Sequence, residues 1–289
     1  YIPGDNTYET IGMTGVAAAN FTYSYDANKN VETETRHANF ADKAWRATYD
    51  KEDRLKNWNK GNGAFVQDWQ LSAVGNLKNQ TISGTQATAS NVDRVFNASH
   101  ELTTVGTDAL TYDAKGNRTA DKNRNLIWDI DNHLARATKD SKETTYEYDA
   151  LGRRVAKVLA DGTRTDFLLN ASDQVCTEYV NGVAQKAYCT GSYIDDQVLM
   201  VTPTESYCFH RDRQFNTRAV TDCATTPALI ETYEYTPQGT VEIFDASGNA
   251  LTTSAIGNMN TFTGRYFDQE TGLHYFRARY FDSALNTFI

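Results

Sequence analysis

Large or β-branched side chains alternate with polar ones along most of the chain. In residues 144–148 and 154–158 they recur at a spacing of two or three, which is typical of a strand with one buried face. Two short stretches, 39–48 and 282–289, are the places where we expect helical turns, and neither is long. The pattern therefore predicts an all-β fold of short antiparallel strands.

A short unit repeats along the chain and spaces these strands. It consists of an aromatic residue, Asp or Asn, two free positions, a turn residue and a polar residue. A weaker copy lies in residues 69–77. Intervals between copies include 16 residues, from 112 to 128, and 24 residues, from 25 to 49, which suits one hairpin per unit. The clear copies begin at Tyr25, Tyr49, Phe96, Tyr112, Trp128 and Tyr148.

Each position of the unit has a physical role. The aromatic residue is expected to end the incoming strand and to pack against the ring of the next unit. The Asp or Asn side chain can accept a hydrogen bond from the backbone two residues on, which forms an Asx-turn. Three positions later stand residue types that tolerate a left-handed backbone. They are Asp53, Gly116, Asn132 and Gly152.

The C-terminal part carries a more specific signal. Residues 262–282 read FTGRYFDQETGLHYFRARYFD, and His210-Arg-Asp212, 218–222 and 233–239 precede them. With the six repeat units, these segments closely resemble the RHS/YD-repeat family and its RHS repeat-associated core signature. The signature positions are Gly264, Arg265, Asp268, Gly272, Tyr275, Arg277, Arg279 and Tyr280, with His210 and Asp212 upstream.

This resemblance implies a particular architecture. The YD hairpins would form a spiral antiparallel sheet that closes into a cocoon or barrel-like shell, as in Rhs effectors, Tc-toxin components and teneurins. Residues 1–240 would be the repeat sheet and residues 241–289 the signature that closes it, within one continuous structural unit. The usual role of such a shell is to enclose or display a passenger.

The chain departs from the family pattern at three places. Phe215-Asn216 and Asn286-Thr287 stand where the family commonly has Gly-Ser and Gly-Arg. The self-cleaving segment and toxin domain that follow the signature in many members are not in this sequence. We therefore carry over no catalytic residue, and we expect the chain to be a piece of a longer precursor.

Polar residues of the signature admit two interpretations. His210 and Asp212 have the chemistry for acid–base work, but a structural hydrogen-bond network is the interpretation we favour. Arg265, Asp268, Glu270, Arg277 and Arg279 are expected to form ion pairs that lock the closing strands, rather than a ligand site. Residues 121–132 begin like a calcium loop, but the sixth position is Leu126 and the twelfth is Asn132, so we expect no calcium there.

Four cysteines lie within 48 positions: Cys176, Cys189, Cys208 and Cys223. In an oxidising compartment each neighbouring pair could bond across a hairpin, Cys176 with Cys189 around Asn181-Gly182 and Cys208 with Cys223 around Phe215-Asn216. The alternative is four buried free thiols. No CxxC spacing indicates zinc.

Charge and composition narrow the function classes. The net charge of −9 disfavours a nucleic-acid partner, and no apolar stretch is long enough to span a bilayer. The sequence contains no motif for a cofactor or metal and none that demands an enzyme. We expect a secreted or extracellular, toxin-related structural shell, whose partner is an enclosed passenger or the rest of its precursor. The alternative is a cell-surface adhesion or self-assembling module that binds glycans or its own copies.

Overall fold

The computed structural model describes residues 9–11, 20–36 and 42–289. The chain divides into two compact units, residues 1–110 and residues 111–289. The sheets of both units are antiparallel, and within each sheet every strand pairs with the next one along the chain. The prediction of an all-β fold of YD hairpins is confirmed.

The first unit contains one sheet of ten described strands in sequential order. Its core cluster is formed by Ala47, Trp58, Trp69 and Leu77, one from each of four consecutive strands, and the pairing register sets Ala47 directly opposite Trp58. The strands are β1 (Glu9–Ile11), β2 (Phe21–Tyr25), β3 (Val31–Arg36), β4 (Trp45–Tyr49), β5 (Leu55–Lys60), β6 (Phe65–Leu71), β7 (Leu77–Ser83), β8 (Ser90–Phe96), β9 (Leu102–Val105) and β10 (Asp108–Ala109).

The second unit contains a sheet of fifteen strands, again in sequential order. The strands are β11 (Thr111–Tyr112), β12 (Arg118–Ala120), β13 (Arg124–Trp128), β14 (Leu134–Lys139), β15 (Lys142–Tyr148), β16 (Arg154–Val158), β17 (Arg164–Leu169), β18 (Val175–Val180), β19 (Val183–Thr190), β20 (Gln197–Val201), β21 (Ser206–Arg211), β22 (Thr217–Asp222), β23 (Leu229–Tyr235), β24 (Val241–Asp245) and β25 (Ala250–Leu251).

The signature forms a separate, four-stranded sheet in the same unit. After a short 3-10 helix at Phe262–Gly264 come β26 (Tyr266–Asp268), β27 (Leu273–Tyr275), β28 (Tyr280–Asp282) and β29 (Thr287–Phe288). Leu273 and Tyr280 of this small sheet share one core cluster with Leu126, Leu134 and Tyr146 of the large sheet. The small sheet therefore packs against one face of the large sheet.

The YD turns are built as the sequence predicts. In the turn that opens with Asp149, Oδ1 accepts the backbone N–H groups of Leu151 and Arg153 at 2.9 and 3.0 Å. Gly152 has a φ of +75°, and the pairing register shifts between Glu147 and Tyr148. This is a type I turn followed by a left-handed residue and a bulge. The other predicted left-handed residues, Asp53, Gly116 and Asn132, also have positive φ.

The repeat aromatics contact the preceding unit through their polar tips. The Tyr49 hydroxyl donates to the carbonyl of Val31 at 2.8 Å, and the Trp128 indole N–H donates to that of Arg118 at 2.7 Å. Each acceptor lies six residues after the aromatic residue of the unit before. One unit thereby fixes the start of the outgoing strand of its predecessor.

Two sequence-based expectations can be compared with the structure. Residues 45–49 are a strand and 282–289 contain β28, β29 and turns, so helical turns were wrong there. Residues 42–43 do lie in a short 3-10 turn, and 39–41 lie outside the described residues. Residue 240, the predicted end of the repeat sheet, lies between β23 and β24, which pair over five residue positions.

Removal of one Asx side chain tests the turn chemistry. Asn170 Oδ1 accepts the N–H groups of Ser172 and Gln174 at 2.8 and 3.1 Å. We expect Asn170→Ala to lower the free energy of unfolding by about 1–2 kcal/mol, because both groups lose their acceptor. Asn170→Asp keeps that acceptor and is expected to cost clearly less. Urea unfolding of the two variants measures the difference, and equal losses would contradict the role of the side-chain oxygen.

Candidate functional site

Asp268 is the centre of the contact between the two sheets of the second unit. Its carboxylate is fully buried and accepts hydrogen bonds from Arg154 Nη1 at 2.5 Å and Lys157 Nζ at 3.3 Å. Lys157 also pairs with Glu270 at 2.8 Å. Two cations from β16 thus meet two carboxylates of the signature, so the buried charges are balanced.

Arg154 lies inside a group of aromatic rings. Its guanidinium carbon is 4.1 Å from the ring centre of Tyr275, 5.1 Å from that of Phe167 and 5.2 Å from that of Tyr266. Burial by itself would lower the pKa of Arg154, but Asp268 and the neighbouring tyrosines together outweigh it, and the pKa is raised. The guanidinium therefore stays charged between ring faces that attract cations.

A second buried cluster involves Asp282. This carboxylate pairs with Arg118 at 3.1 Å and makes a shorter contact with Arg124. Both arginines also pair with Asp121, at 3.7 and 2.9 Å. The carboxylate of Asp121, which opens the calcium-like stretch, is thus paired with two arginines of its own hairpin.

The upstream signature residues also have structural partners. His210 Nε2 lies 2.9 Å from the Thr221 hydroxyl, and burial lowers the pKa of His210. Asp212 opens a hairpin turn, where it accepts the N–H groups of Gln214 and Asn216 and pairs with Arg218 at 3.1 Å. Both side chains are therefore placed in hydrogen-bond networks of β21 and β22.

The altered turn at Phe215-Asn216 is rebuilt around new contacts. Phe215 takes the left-handed position, with a φ of +62°, and its ring stacks on Tyr193 at 4.3 Å. Asn216 Oδ1 accepts the N–H of Thr263 at 2.8 Å. The departure from the family sequence thus adds a bond between this turn and the signature.

Gly264 and two arginines of the signature contact Asp195. Gly264 has a φ of +72°, and a Cβ there would lie 2.2 Å from the Asp195 carbonyl oxygen, so no larger residue could occupy the position. Arg265 and Arg277 both pair with the Asp195 carboxylate, at 2.6 and 2.7 Å. Arg279 instead lies 3.8 Å from the ring centre of Phe288.

A cavity of about 370 Å³ opens beside these groups. Its walls come from the turns after β13, β15 and β17, from the loop before β20 and from the signature. Cationic and anionic side chains line its sides, and aromatic and aliphatic side chains line the rest. They include Asp131, His133, Arg153, Arg154, Phe167, Leu169, Asp173, Val175, Asp195, Arg265, Tyr266, Tyr275 and Arg277.

One group of metal-ligating side chains occurs among the described residues. Asp129, Asp131 and His133 offer ligand atoms within 4.8 Å of one another. Asp129 already accepts the N–H groups of the other two residues and lies 3.1 Å from His133 Nδ1. The cluster is thus the hydrogen-bond network of a YD turn, with Asp131 on its exposed side.

The cysteine pairs differ from each other. Cys208 and Cys223 form a disulfide with a Cα–Cα distance of 5.6 Å. The expected Cys176–Cys189 bond is wrong, and both thiols are free. In the β18–β19 ladder Thr177 lies opposite Ala187, so the register places Cys176 opposite residue 188, and Cys189 points to the other face.

The sequence did not identify the basic partners on the large sheet. The sequence-based prediction covered only the charged residues of the signature itself. Their carboxylates bind four basic residues of the large sheet: Arg118, Arg124, Arg154 and Lys157. A signal was present, because basic residues occupy positions of predicted strands where a buried face was expected. Asp195 lies in a loop and carried no such signal.

The chain matches a known protein family over most of its length. The family model described as teneurin YD-shell matches residues 20–289. The chain belongs to the teneurin YD-shell family. It is a structural shell module with the antiparallel β architecture of that family. Among the described residues, no helix is long and apolar enough to cross a membrane.

Curated relatives of this YD-shell chain are much longer proteins. It is 27% identical over 250 residues to the tRNA3(Ser)-specific nuclease WapA of Bacillus spizizenii and to the tRNA nuclease WapA of Bacillus subtilis strain 168. Each match covers 83% of this chain and 10% of the relative. The chain therefore spans about a tenth of these nucleases.

Solved structures show the same fold at low sequence identity. A crystal structure of TcdB2-TccC3-Cdc42 superposes with a TM-score of 0.72 at 15% identity, over 93% of this chain and 15% of that one. The Photorhabdus luminescens Tc holotoxin pore with a TccC3 mutation gives 0.66 at 16% identity, over 92% and 15%. The likeness establishes the fold of this YD-shell chain.

Loss of the central carboxylate tests how the small sheet is fastened. We expect Asp268→Ala to lower the free energy of unfolding by about 3–5 kcal/mol, because Arg154 and Lys157 would remain buried without their shared anion. The control is Arg136→Ala, which breaks the half-exposed pair with Glu143 and is expected to cost at most about 1 kcal/mol. Denaturant unfolding followed by tryptophan fluorescence measures both, and similar losses would contradict the assignment.

His274 makes the stability of the small sheet depend on pH. Its ring is fully buried, 4.7 Å from the ring of Phe267, and its Nδ1 has no hydrogen-bond partner among the described residues. Burial lowers the pKa of His274 to about 4, although Asp268 opposes the shift. The unfolded chain, with a pKa near 6.5, therefore binds a proton at a higher pH than the folded chain.

This difference predicts a loss of stability on acidification. As the pH falls from 6.5 toward 4, His274 should cost on the order of 3 kcal/mol of unfolding free energy. His274→Gln cannot take up the proton, so its stability should fall less over the same range. Urea unfolding at pH 7 and pH 4.5 gives the two slopes. Parallel slopes would assign the pH dependence to carboxylates instead.

Proposed function

We propose that this chain is the shell module of a secreted, toxin-like protein, and that it encloses or displays a passenger segment of the same precursor. The observation that carries the proposal is the use of the signature residues. Asp268 and Asp282 fasten the small sheet onto the large one through buried arginines. A sheet closed in this way serves as a rigid wall, and the named relatives combine such a region with a nuclease.

We further propose that the module itself has no enzymatic activity. The polar side chains with catalytic chemistry, His210 and Asp212, lie in structural networks. The nuclease activity in the names of the relatives belongs to proteins of which this chain matches 10%. That activity is therefore best ascribed to other parts of those proteins.

Secretion is supported by the disulfide. Cys208 and Cys223 are bonded, and disulfides persist in oxidising compartments rather than in the cytosol. The acidic net charge of −9 also favours a passenger or partner that is not a polyanion.

A protection experiment tests the shell function. The natural polypeptide that contains this chain and its flanking sequence is treated with protease, and fragments are identified by mass spectrometry. The flanking passenger should resist digestion in the wild type. In Asp268→Ala the passenger should be digested at least tenfold faster, because the small sheet is released. Arg136→Ala should leave protection unchanged. A passenger cut as fast within the wild-type protein as when expressed alone would overturn the proposal.

A second candidate function is assembly of an extracellular adhesion module from copies of the chain. Val183 on β19 and Val198 and Val201 on β20 are exposed, and the free thiol of Cys189 on β19 is exposed as well. Native mass spectrometry with and without reductant tests this alternative. A mass that is a multiple of one chain supports assembly. A mass of one chain, together with no binding to any glycan on an array, argues against this function.

A further inference from the structure

We propose that the cavity beside Asp195 binds a small organic monocarboxylate, a carboxylate group on an apolar body. This site does not depend on whether the shell holds a passenger, because all of its walls belong to the second unit. At about 370 Å³ it lies within the usual size range of small-molecule pockets, roughly 300–1,000 Å³. The charge of one wall and the apolar lining of the rest point to the same ligand.

The charge at one wall of the cavity is unbalanced. Arg265 Nη1 binds Asp195 Oδ2 at 2.6 Å, while Arg277 binds Oδ1 at 2.7 Å and Oδ2 at 3.1 Å. Two guanidinium groups therefore share one carboxylate, and both of its oxygens are in use. The trio carries one surplus positive charge, which a single bound anion would neutralise.

Both guanidinium groups at this wall remain partly accessible. The side chains of Arg265 and Arg277 line the cavity and keep 19% and 26% of their accessible surface. Burial lowers the pKa of Arg265, and the neighbouring charge of Arg277 lowers it further although Asp195 opposes both. A partly buried cation is costly unless anions and acceptors complete its contacts. A carboxylate oxygen is the acceptor that guanidinium groups bind in a planar, two-pronged geometry.

Tight turns hold the charged groups of this wall in place. Asp195 has a φ of +61° and Arg277 a φ of +63°, the left-handed conformation that also occurs in the YD turns. Gly264, which approaches the Asp195 carbonyl, has a φ of +72°. These turns present the ion pair of Asp195 and Arg277 at the cavity wall.

The remaining lining determines what the carboxylate is attached to. Phe167, Leu169, Val175 and Tyr266 supply an aromatic and aliphatic surface within the same cavity. An apolar body of the ligand can bury its surface there, which favours binding through the hydrophobic effect. An inorganic anion would leave this surface uncovered.

The other rim of the cavity carries an acidic group. Asp173 lines it but is paired with Arg153 at 3.0 Å, whereas Asp131 is exposed there. The Asp131 carboxylate repels the distal charge of a polyphosphate or dicarboxylate. A positive wall, an acidic group on the opposite rim and an apolar surface thus favour a monoanion.

Binding is tested on the intact chain with benzoate and hexanoate as probes. Isotope-labelled protein is titrated to about 10 mM ligand and followed by backbone amide shifts. Benzamide, which has the same shape as benzoate without the charge, and inorganic phosphate serve as matched probes. We expect saturable shifts at residues 264–266 and 277 with both carboxylates, and at least tenfold weaker binding of benzamide and phosphate.

Two variants locate the site by different means. Arg277→Asn removes the guanidinium but keeps a residue type that accepts the left-handed backbone, and should weaken benzoate binding about tenfold or more. Val175→Trp fills the apolar part of the cavity and should abolish binding without changing charge. Arg136→Gln, which does not line the cavity, should bind like the wild type. Amide spectra of each variant establish that it is folded.

Four results would overturn the proposal. Three are no saturable shifts with either carboxylate, equal binding of benzamide and benzoate, and unchanged binding in a folded Val175→Trp protein. The fourth is phosphate binding as tight as that of benzoate, which would show a general anion site instead of a carboxylate site. None of these results bears on passenger protection, so failure here and failure of the shell proposal are distinguishable.

Discussion

The hairpin turn that opens with Asp or Asn is the interaction on which the rest of the structure depends. Within five residues the chain must reverse while its backbone N–H groups keep acceptors. In the turn at Asp113 the carboxylate accepts the N–H groups two and four residues on, both at 2.9 Å. The third residue after the opener takes the left-handed conformation, and a bulge follows. Each bulge increases the local twist of the sheet.

Side chains also connect one turn to the next along the sheet edge. The residue four positions after an opener bonds the left-handed residue of the following turn. Asn30 donates to Asp53 at 2.8 Å, and Asn117 donates to Asn132 at 3.0 Å. Arg153 reaches the left-handed Asp173 of the next turn in the same way, at 3.0 Å. A residue that is left-handed for backbone reasons therefore also serves as the acceptor for its neighbour, which explains why Asp and Asn occupy positions where glycine would suffice.

These local rules determine how much of the molecule the sequence could predict. The units at Tyr112 and Tyr148, their left-handed residues and the all-β fold follow from interactions within six residues, so the pattern contains them. The partners of Asp268 do not follow, because Arg154 is 114 residues away and only the stacking of one sheet on the other brings them together. The Cys176–Cys189 prediction failed for a related reason, since a bulge between Glu178 and Tyr179 sets the register and the sequence does not specify it.

The two fastening sites of the small sheet arise from one repeated device. The triplet Tyr-Phe-Asp occurs at residues 266–268 and again at 280–282, and each Asp is fully buried. Each binds an arginine that stands six residues after a repeat aromatic, Arg154 for Asp268 and Arg118 for Asp282.

An apolar contact would close the two sheets with less desolvation, but it would accept neighbouring registers, because a shifted Leu or Phe still buries its surface. A buried ion pair accepts only one register, since a shift of one residue leaves two charges unpaired. The repeat supplies many equivalent hairpins, and the paired charges select which of them the signature contacts.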